Sequence, residues 1–416
     1  MITKLAYKQL RRRPVTTGLL LLIIALSVGV SVFLMTLHEG LQKGLTFATE
    51  PFSLLVSAPG SQHQLVLNAV FLQDRPLPNI PYEEVTALQK KEKLVKAAIP
   101  LGFGDSYKGY RIVGATQAIF QMKASPNAAP WLSLREGRPF EKPFEAVIGQ
   151  DVASRLHLTI GSSFESTHGL LPKSKQSHKG HPFTVVGILK DVQGPYNQVI
   201  LTPIESVWEV HAHKEQNKLA LELAQKTGKP LPEEKHEKEV SAILVEPVGY
   251  SQAYQLASQY QSRKDAMLVF PAQTIVQFFN LMGRGEKMWR PVGSFLMALS
   301  ILIVVITSYL STLTRLGEYA VLRALGAREK QIAAIWLWQN TFLIAGGTVL
   351  GTCLGLAVYA ILAHFLAAST AVTLPISLPP LAIALLAGAV VVGILASLLP
   401  MTVLKKKLKV TVGTSL

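Results

Sequence analysis

Residues 15–37 read VTTGLLLLIIALSVGVSVFLMTL, twenty-three positions without a charged side chain. A helix of about 20 apolar residues is enough to cross a hydrocarbon core of ~30 Å. Three more runs of this kind occur, Pro291–Thr314, Ile332–Phe365 and Leu381–Leu404, and within all four His364 is the one ionisable side chain apart from Cys353 and the tyrosines. A buried helix of a water-soluble protein has no need of such unbroken apolar length. The fold class this predicts is an α-helical membrane protein with four transmembrane helices. A large mixed α+β extracytoplasmic domain is inserted between helices 1 and 2.

The flanks of the runs set the orientation. The formal net charge is +15, which taken alone fits a nucleic-acid binder. Its distribution excludes that reading: thirteen of the 41 Lys and Arg residues border the apolar runs on one side. They are Lys4, Lys8, Arg11, Arg12 and Arg13 before the first run, Arg315, Arg323, Arg328 and Lys330 between the second and third, and Lys405, Lys406, Lys407 and Lys409 after the fourth. The connection 366–380 carries no Lys or Arg. Basic flanks remain cytoplasmic because they resist translocation, so both termini are expected in the cytoplasm. The implied organisation is a basic amino terminus at 1–14, spans at 15–37, 291–314, 332–365 and 381–404, and an outer domain over 38–290. A cytoplasmic connection at 315–331, a short outer loop at 366–380 and a cytoplasmic tail at 405–416 complete it. The first run exceeds the usual signal-peptide core of about 7–15 residues, and no A-x-A pattern comes after it, so it reads as an uncleaved signal-anchor. Trp289, Trp336 and Trp338 stand near run ends, where an aromatic belt or ordinary helix packing explains them equally.

Within the outer domain, strands are expected at Ser53–Ser57, Gln64–Leu72, Leu94–Ile99, Arg111–Gly114, Phe183–Leu189, Gln198–Thr202 and Ser241–Glu246. Helices are expected at Glu83–Lys91, Val152–Leu156 and Ala253–Arg263, with a subdomain boundary near Pro139–Glu145. Gly169–Pro182 reads as a polar loop and Glu205–Glu239 as a charged helical insertion at the surface. His211 and His213 are chemically able to hold zinc. At i, i+2 spacing, however, a helix sends their rings to different sides, and surface histidines are the expectation, with no metal and no cofactor. Cys353 is the one cysteine, so no intramolecular disulfide exists and a domain of about 250 residues rests on its own core.

The connection between runs two and three is Arg315-Leu-Gly-Glu318-Tyr-Ala-Val-Leu-Arg323-Ala-Leu325-Gly326-Ala-Arg328-Glu-Lys-Gln331. Leu322, Leu325 and Ile332 can form an apolar stripe, and Gly326 can stop a helix or make a sharp turn. On these residues alone, a helix gripped by a partner and a plain solvated connector both remain open. Gly347, Gly351 and Gly355 recur every four residues, so they share a helix face and allow close helix contact, either within one chain or across a dimer.

This connection, together with the third apolar run, resembles the signature of the MacB/FtsX/LolC–LolE type of ABC-transporter permease. Glu318, the run Arg323-Ala-Leu-Gly-Ala327, the ladder Gly347, Gly351, Gly355, Pro400 and the segment Ala6–Pro14 carry the resemblance. Ala146–Gly161 and Phe183–Ile188 look like the family's extracytoplasmic domain. Tyr319, Ala320, Gln339 and the terminal Lys409-Val-Thr-Val-Gly depart from the pattern. The resemblance implies a separate ABC-type ATPase docking through Glu318, Arg323, Leu325, Gly326 and Arg328, and a second permease subunit, identical or not. Stalks through His38–Phe47 and Thr274–Trp289, and a periplasmic adaptor or carrier, are also implied. The chain lacks a G-x-x-x-x-G-K-[ST] loop, so a partner must supply nucleotide chemistry. With no nucleophile elbow and no H-E-x-x-H, an enzyme is not expected. Export or extraction of a substrate and FtsX-type signalling to an outer hydrolase are the two functions in view, and the size of the outer domain favours the first.

Overall fold

The computed structural model describes residues 2–123, 128–168, 181–210, 238–280, 326–370, 372–378 and 380–396, with seven single positions between 295 and 321. Two compact units make up the chain. One, the helical body, comprises Met1–Lys43, Leu281–Phe365 and Leu374–Leu416; the other, the α/β body, comprises Gly44–Asn280 and Leu366–Thr373.

In the helical body, α1 (Ile2–Arg11) leads into α2 (Pro14–Thr49), with Pro14 at the first helical position, where its missing N–H is harmless. The second long helix is Glu329–Thr370, and a third apolar helix runs Pro380–Ala396. Among the described residues two helices are long and apolar enough to cross a membrane, Pro14–Thr49 and Glu329–Ala368. At 1.5 Å per residue, the 36 residues of α2 measure about 54 Å and the 42 of Glu329–Thr370 about 63 Å. Both exceed a ~30 Å core by many residues. One face of α2 is bare: Val15, Leu19, Leu22, Leu26 and Val30 are exposed at helical spacing. Val349, Leu350, Leu354, Val358, Ile361 and Phe365 do the same on the second helix. Stripes of that size suit a lipid environment, not water.

The α/β body is built on an eleven-stranded sheet of order β13-β1-β12-β3-β4-β10-β6-β9-β5, where β5 is Leu134–Gly137, with β7 (Ser163–Phe164) on β9 and β8 (Thr167–His168) on β3. Its central strand is β3 (Val95–Tyr107), thirteen residues long. The first half of β3 pairs antiparallel with β12 (Ala242–Pro247), and the second half with β4 (Tyr110–Ala115), across an irregularity between Phe103 and Ser106. On the β12 side lie β1 (Leu54–Ser57) and β13 (Met267–Val269). On the β4 side, β10 (Val199–Pro203) pairs parallel to β4 and antiparallel to β6 (Glu145–Ile148), which runs parallel to β9 (Phe183–Leu189).

Each half has its own core. One joins Leu54, Val56, Leu88, Ile243, Val245 and Leu256, and covers the sheet with α4 (Glu83–Gln89) and the helix Tyr250–Gln261. The other joins Ile112, Ile148, Val152, Phe164, Phe183 and Ile200, under α5 (Gln150–Leu156). The division is therefore not a cut at Pro139–Glu145. The first core uses residues on both sides of the second in sequence, and β3 belongs to both halves.

Two other expectations need correction. Gln64–Leu72 is not a strand: α3 (Gln62–Ala69) occupies it, capped by Ser61, whose hydroxyl accepts from the Gln64 N–H at 3.3 Å, and burying Leu65, Val66 and Ala69. Glu205–Glu239 is not a surface insertion at its start. Residues 204–210 are helical and Ser206, Val207 and Val210 are buried. The Ser206 hydroxyl accepts from the Phe144 N–H at 2.8 Å, and the Trp208 indole donates to the Glu239 carbonyl at 2.7 Å. The helix that carries the third apolar run extends beyond it at both ends, from Glu329 to Thr370. His211, His213, His236 and most of Gly169–Pro182 lie outside the described residues.

Candidate functional site

The predicted coupling residues Glu318, Arg323 and Leu325 lie outside the described residues, as does most of the second apolar run. Gly326 and Arg328 are placed. Gly326 has φ +89°, a left-handed conformation that an L side chain resists. Three residues on, the longest helix among the described residues starts. Arg328 caps it: its carbonyl accepts from Gln331 at 2.8 Å, and the Gln331 side chain accepts from the Arg328 N–H at 2.9 Å, the return half of a capping box. Glu329 in the first turn adds a negative charge where the helix dipole favours one.

From this start the helix enters the interior of its own body. Ile332, Ile335, Trp336, Gln339, Asn340, Leu343 and Ile344 are buried. Trp336 thus packs inward, whereas Trp338 is 41 % exposed and lies 5.6 Å from the Phe342 ring. Gln339, one of the departures from the family pattern, donates to the side chain of Gln9 on α1. Two neutral amides meet there with complementary donor and acceptor, which suits a buried position without a charge.

Further along, Gly347, Gly351 and Gly355 face α2. A β-carbon built at Gly347 would stand 2.6 Å from the Ile24 side chain. At Gly351 it would stand 2.6 Å from the Ala25 carbonyl oxygen, and at Gly355 2.5 Å from that of Gly29. Those distances are shorter than any real carbon contact, so the two backbones touch where glycine leaves room. α2 answers with Ile24, Ala25, Val28, Gly29 and Val32, one face at helical spacing; Gly29 itself faces the Gly351 carbonyl, 3.1 Å from a built β-carbon. Ile24, Val28, Val32 and Ile344 form the small apolar core there. Toward the far end, the Tyr359 hydroxyl donates to the Pro375 carbonyl at 2.9 Å, and Lys43 pairs with Glu39 at 2.6 Å.

Gly29 and its spacing from Ala25 are not among the residues that the sequence singles out. A signal is nonetheless present: Ala25 and Gly29 are four apart, the small-residue spacing of close helix pairs. Cys353 and His364, inside the same helix as the glycine ladder, are exposed and take no part in the seam.

Two local clamps stand out in the electrostatics of the α/β body. Glu84 receives both Arg263 Nη atoms, at 2.7 and 2.9 Å, together with the Tyr260 hydroxyl. Burial pushes its carboxyl up, but these bonds and the Arg263 charge prevail and hold it below the usual range. Glu145 accepts two bonds from Arg138, at 2.6 and 2.9 Å, and the N–H groups of Glu141 and Lys142. Led by the Arg138 bonds, this brings its pKa down to about 2. No group of three or more His, Cys, Asp or Glu side chains that could hold a metal ion occurs among the described residues.

Long apolar helices together with a large mixed α/β body fit the class of membrane proteins. A family model described as the MacB-like periplasmic core domain matches residues 17–281, and one described as the FtsX-like permease C-terminal matches residues 292–408. The chain belongs to the MacB/FtsX-type ABC permease family, a family of inner-membrane proteins. Among solved structures it is similar to the periplasmic region of MacB from Actinobacillus actinomycetemcomitans, at 12 % identity with a TM-score of 0.33, over 56 % of this chain and 95 % of that one. No curated protein matches it.

Proposed function

We propose that this chain is the permease subunit of an ABC transporter in which a separate ATPase drives motion of the α/β body, for export or extraction of a substrate. Candidate substrates are a lipoprotein, lipid, peptide or small molecule. In this reading four helices span the membrane, both termini are cytoplasmic, two permease subunits pair, and the chain itself is not an enzyme. A periplasmic adaptor or carrier receives the cargo.

The observation that carries the proposal is the glycine seam. A lever transmits displacement only if its parts do not slide. Backbone-level contact at Gly347, Gly351 and Gly355 ties the 42-residue helix to α2 over two turns. The helix begins at a capped turn beside the segment that an ATPase would grip, and its last residues, from Leu366, belong to the α/β body. A displacement applied near Gly326 therefore has a stiff path about 63 Å long. No ionisable residue other than His364 and Cys353 lies along the apolar part, tyrosine aside, which disfavours coupling to a proton or ion.

Copurification with the soluble nucleotide-binding subunit tests the proposal. Charge reversal at Glu318 or Arg323 is expected to lower recovery about tenfold, the loss of one charge-assisted contact. Unchanged recovery sinks the docking role. ATPase turnover that ignores lipids, lipoproteins and peptides would favour the signalling function instead. A reporter fused near residue 200 that proves cytoplasmic would overturn the orientation.

A further inference from the structure

The lever described above makes no use of α1, a helix with two different sides. Ala6 is fully buried, and the Gln9 side chain accepts from Gln339 on the helix Glu329–Thr370, so one side packs on the helical body. Lys4, Lys8 and Arg11 form a stripe at i, i+4 and i+7 on the other side, and all three are exposed. Leu5 and Tyr7, 38 % and 59 % exposed, flank the stripe. The first acidic residue of the chain is Glu39, so nothing near in sequence offsets these charges. The helix dipole accounts for Lys8 and Arg11, which lie in the last turn, where it favours cations. It opposes Lys4 in the first turn, and Lys4 and Lys8 repel each other at i, i+4. A stripe that destabilises its own helix calls for an anionic surface beside it.

Hydrogen bonds fix the depth of this stripe. In a continuous helix a threonine hydroxyl reaches the carbonyl three or four residues before it, and the carbonyl seven before lies about 10 Å lower along the axis. The Thr17 hydroxyl nevertheless donates to the Leu10 carbonyl at 2.9 Å. The chain therefore folds sharply at Arg12 and Arg13, and the end of α1 stands beside the first turn of α2 instead of below it. The glycine seam gives the same level. Gly347 faces Ile24, Gly351 faces Ala25 and Val28, and Gly355 faces Gly29 and Val32, so the two helices rise together. Eight residues before Gly347 is Gln339, and eight before Ile24 is Thr16, so Gln9, bonded to Gln339, lies level with the start of α2. The apolar run that begins at Val15 has 23 residues, about 34 Å as a helix and close to the ~30 Å of a hydrocarbon core. Its start therefore marks the edge of that core to within a turn. α1 and α2 belong to one compact unit, so this placement does not involve the α/β body.

We propose that Lys4, Lys8 and Arg11 hold anionic phospholipid headgroups at the membrane face where α2 begins. This rests on the reading that α2 spans the bilayer. Headgroups start where the hydrocarbon ends, which is the level the Leu10–Thr17 bond gives to α1. Lysine suits that boundary because its methylene stem tolerates apolar surroundings while the ammonium reaches the polar layer. Arg11 can place its planar fork on a phosphate. Tyr7, exposed beside the stripe, is of a type that settles at this depth. A headgroup with net negative charge is selected over a choline headgroup, whose own cation cancels the attraction.

The test is lipid quenching of a local fluorophore, with no ATPase present. The full chain, with Cys353→Ser, carries a bimane label at Tyr7→Cys. It sits in vesicles of equal phosphatidylglycerol and phosphatidylcholine, one or the other brominated on its acyl chains near the headgroup. Phosphatidylglycerol is expected to be enriched about fivefold over phosphatidylcholine beside the label, the weight of one cation near an anionic leaflet. In 1 M salt, where charges are screened within about 3 Å, the preference should fall toward equality. Lys4→Gln/Lys8→Gln/Arg11→Gln should abolish it. Lys90→Gln/Lys93→Gln/Lys264→Gln, three exposed positions on the α/β body with the same loss of charge, should leave it unchanged. Equal quenching by the two lipids at low salt, no quenching by either, or a preference that survives the α1 variant overturns the site. So does an equal loss in the α/β-body variant, which would make net charge the cause. A second label at Leu26→Cys, on the bare face of α2, reports the span itself. Quenching there with none at Tyr7→Cys overturns the headgroup site alone, whereas none at Leu26→Cys overturns the spanning helix on which it rests.

Discussion

The interior of the α/β body is filled by large side chains: Phe52, Phe140, Phe183, Tyr196 and a set of Leu and Ile residues are all less than 2 % exposed, or nearly so. Where the two long helices meet in the helical body, the contact is made by glycine, alanine, valine and isoleucine, and backbone oxygens lie 2.6 and 2.5 Å from where β-carbons of Gly351 and Gly355 would stand. The solvent explains the contrast. Water drives large apolar side chains together, at roughly 25 cal/mol per Å² removed from it. Lipid offers no such drive, so helices associate through close van der Waals fit, which small residues permit. One body should therefore be sensitive to losing volume and the other to gaining it.

The largest effect is expected from removing volume in the α/β body. Phe183 is 1 % exposed, stacks on Phe164 at 5.6 Å and meets Phe144 edge-on at 5.4 Å. Phe183→Ala should destabilise the β9 half of the sheet by about 4 kcal/mol, seen as faster amide exchange along β9. A loss below about 1 kcal/mol would mean the ring's place is refilled and the contrast is false.

Adding volume to the seam comes next. Gly351→Leu must displace the Ala25 carbonyl or the Val28 side chain, 2.6 and 2.8 Å from its β-carbon. About 3 kcal/mol of destabilisation is expected, the upper range for overpacking, read as a lower midpoint of thermal unfolding in detergent. Gly388→Leu is the control, since nothing lies within 4 Å of its β-carbon. Equal tolerance of the two would show that the seam does not hold the helices.

Much of this contrast is legible in the sequence. Strands such as Phe183–Leu189 announce themselves because apolar β-branched runs flanked by polar turns have few alternatives, and the bounds there match residue for residue. Gln64–Leu72 misleads because its apolar residues fit a helix face as well as a strand; the Ser61 cap three residues before Gln64 is the deciding signal. The glycine ladder is legible from its spacing, but its partner is not. Which helix Gly351 meets depends on long-range packing that spacing does not encode, and both an intrachain and a dimer contact satisfy it. The polar look of Glu205–Glu239 likewise hides Val207 and Val210 at its start, because average composition over the whole segment dilutes one buried turn.

The smallest effect tests a part of the α/β body that the volume argument ignores. Arg138 and Glu145 clamp the approach to β6, with Glu145 12 % and Arg138 45 % exposed at the side chain. An unfolded glutamate titrates near about 4.3, and in the fold Glu145 titrates at about 2. Its depressed pKa means the folded state binds fewer protons across that interval. The clamp's contribution is therefore complete above the unfolded value and fades as pH falls through the folded one. Because Arg138 is half exposed and screened by solvent, the contribution at neutral pH is about 1 kcal/mol. Glu145→Gln should lower stability by that amount at pH 7, with the gap from wild type closing between about pH 4.5 and pH 2. Glu84 and Asp265 also titrate low, but they are common to both proteins and cancel in the difference. Glu141→Gln should change nothing measurable, since Glu141 reaches Arg138 only at 3.8 Å and is 60 % exposed. A gap that stays constant down to about pH 2 would mean that the carboxylate's charge is irrelevant and that only its hydrogen-bond geometry holds the turn.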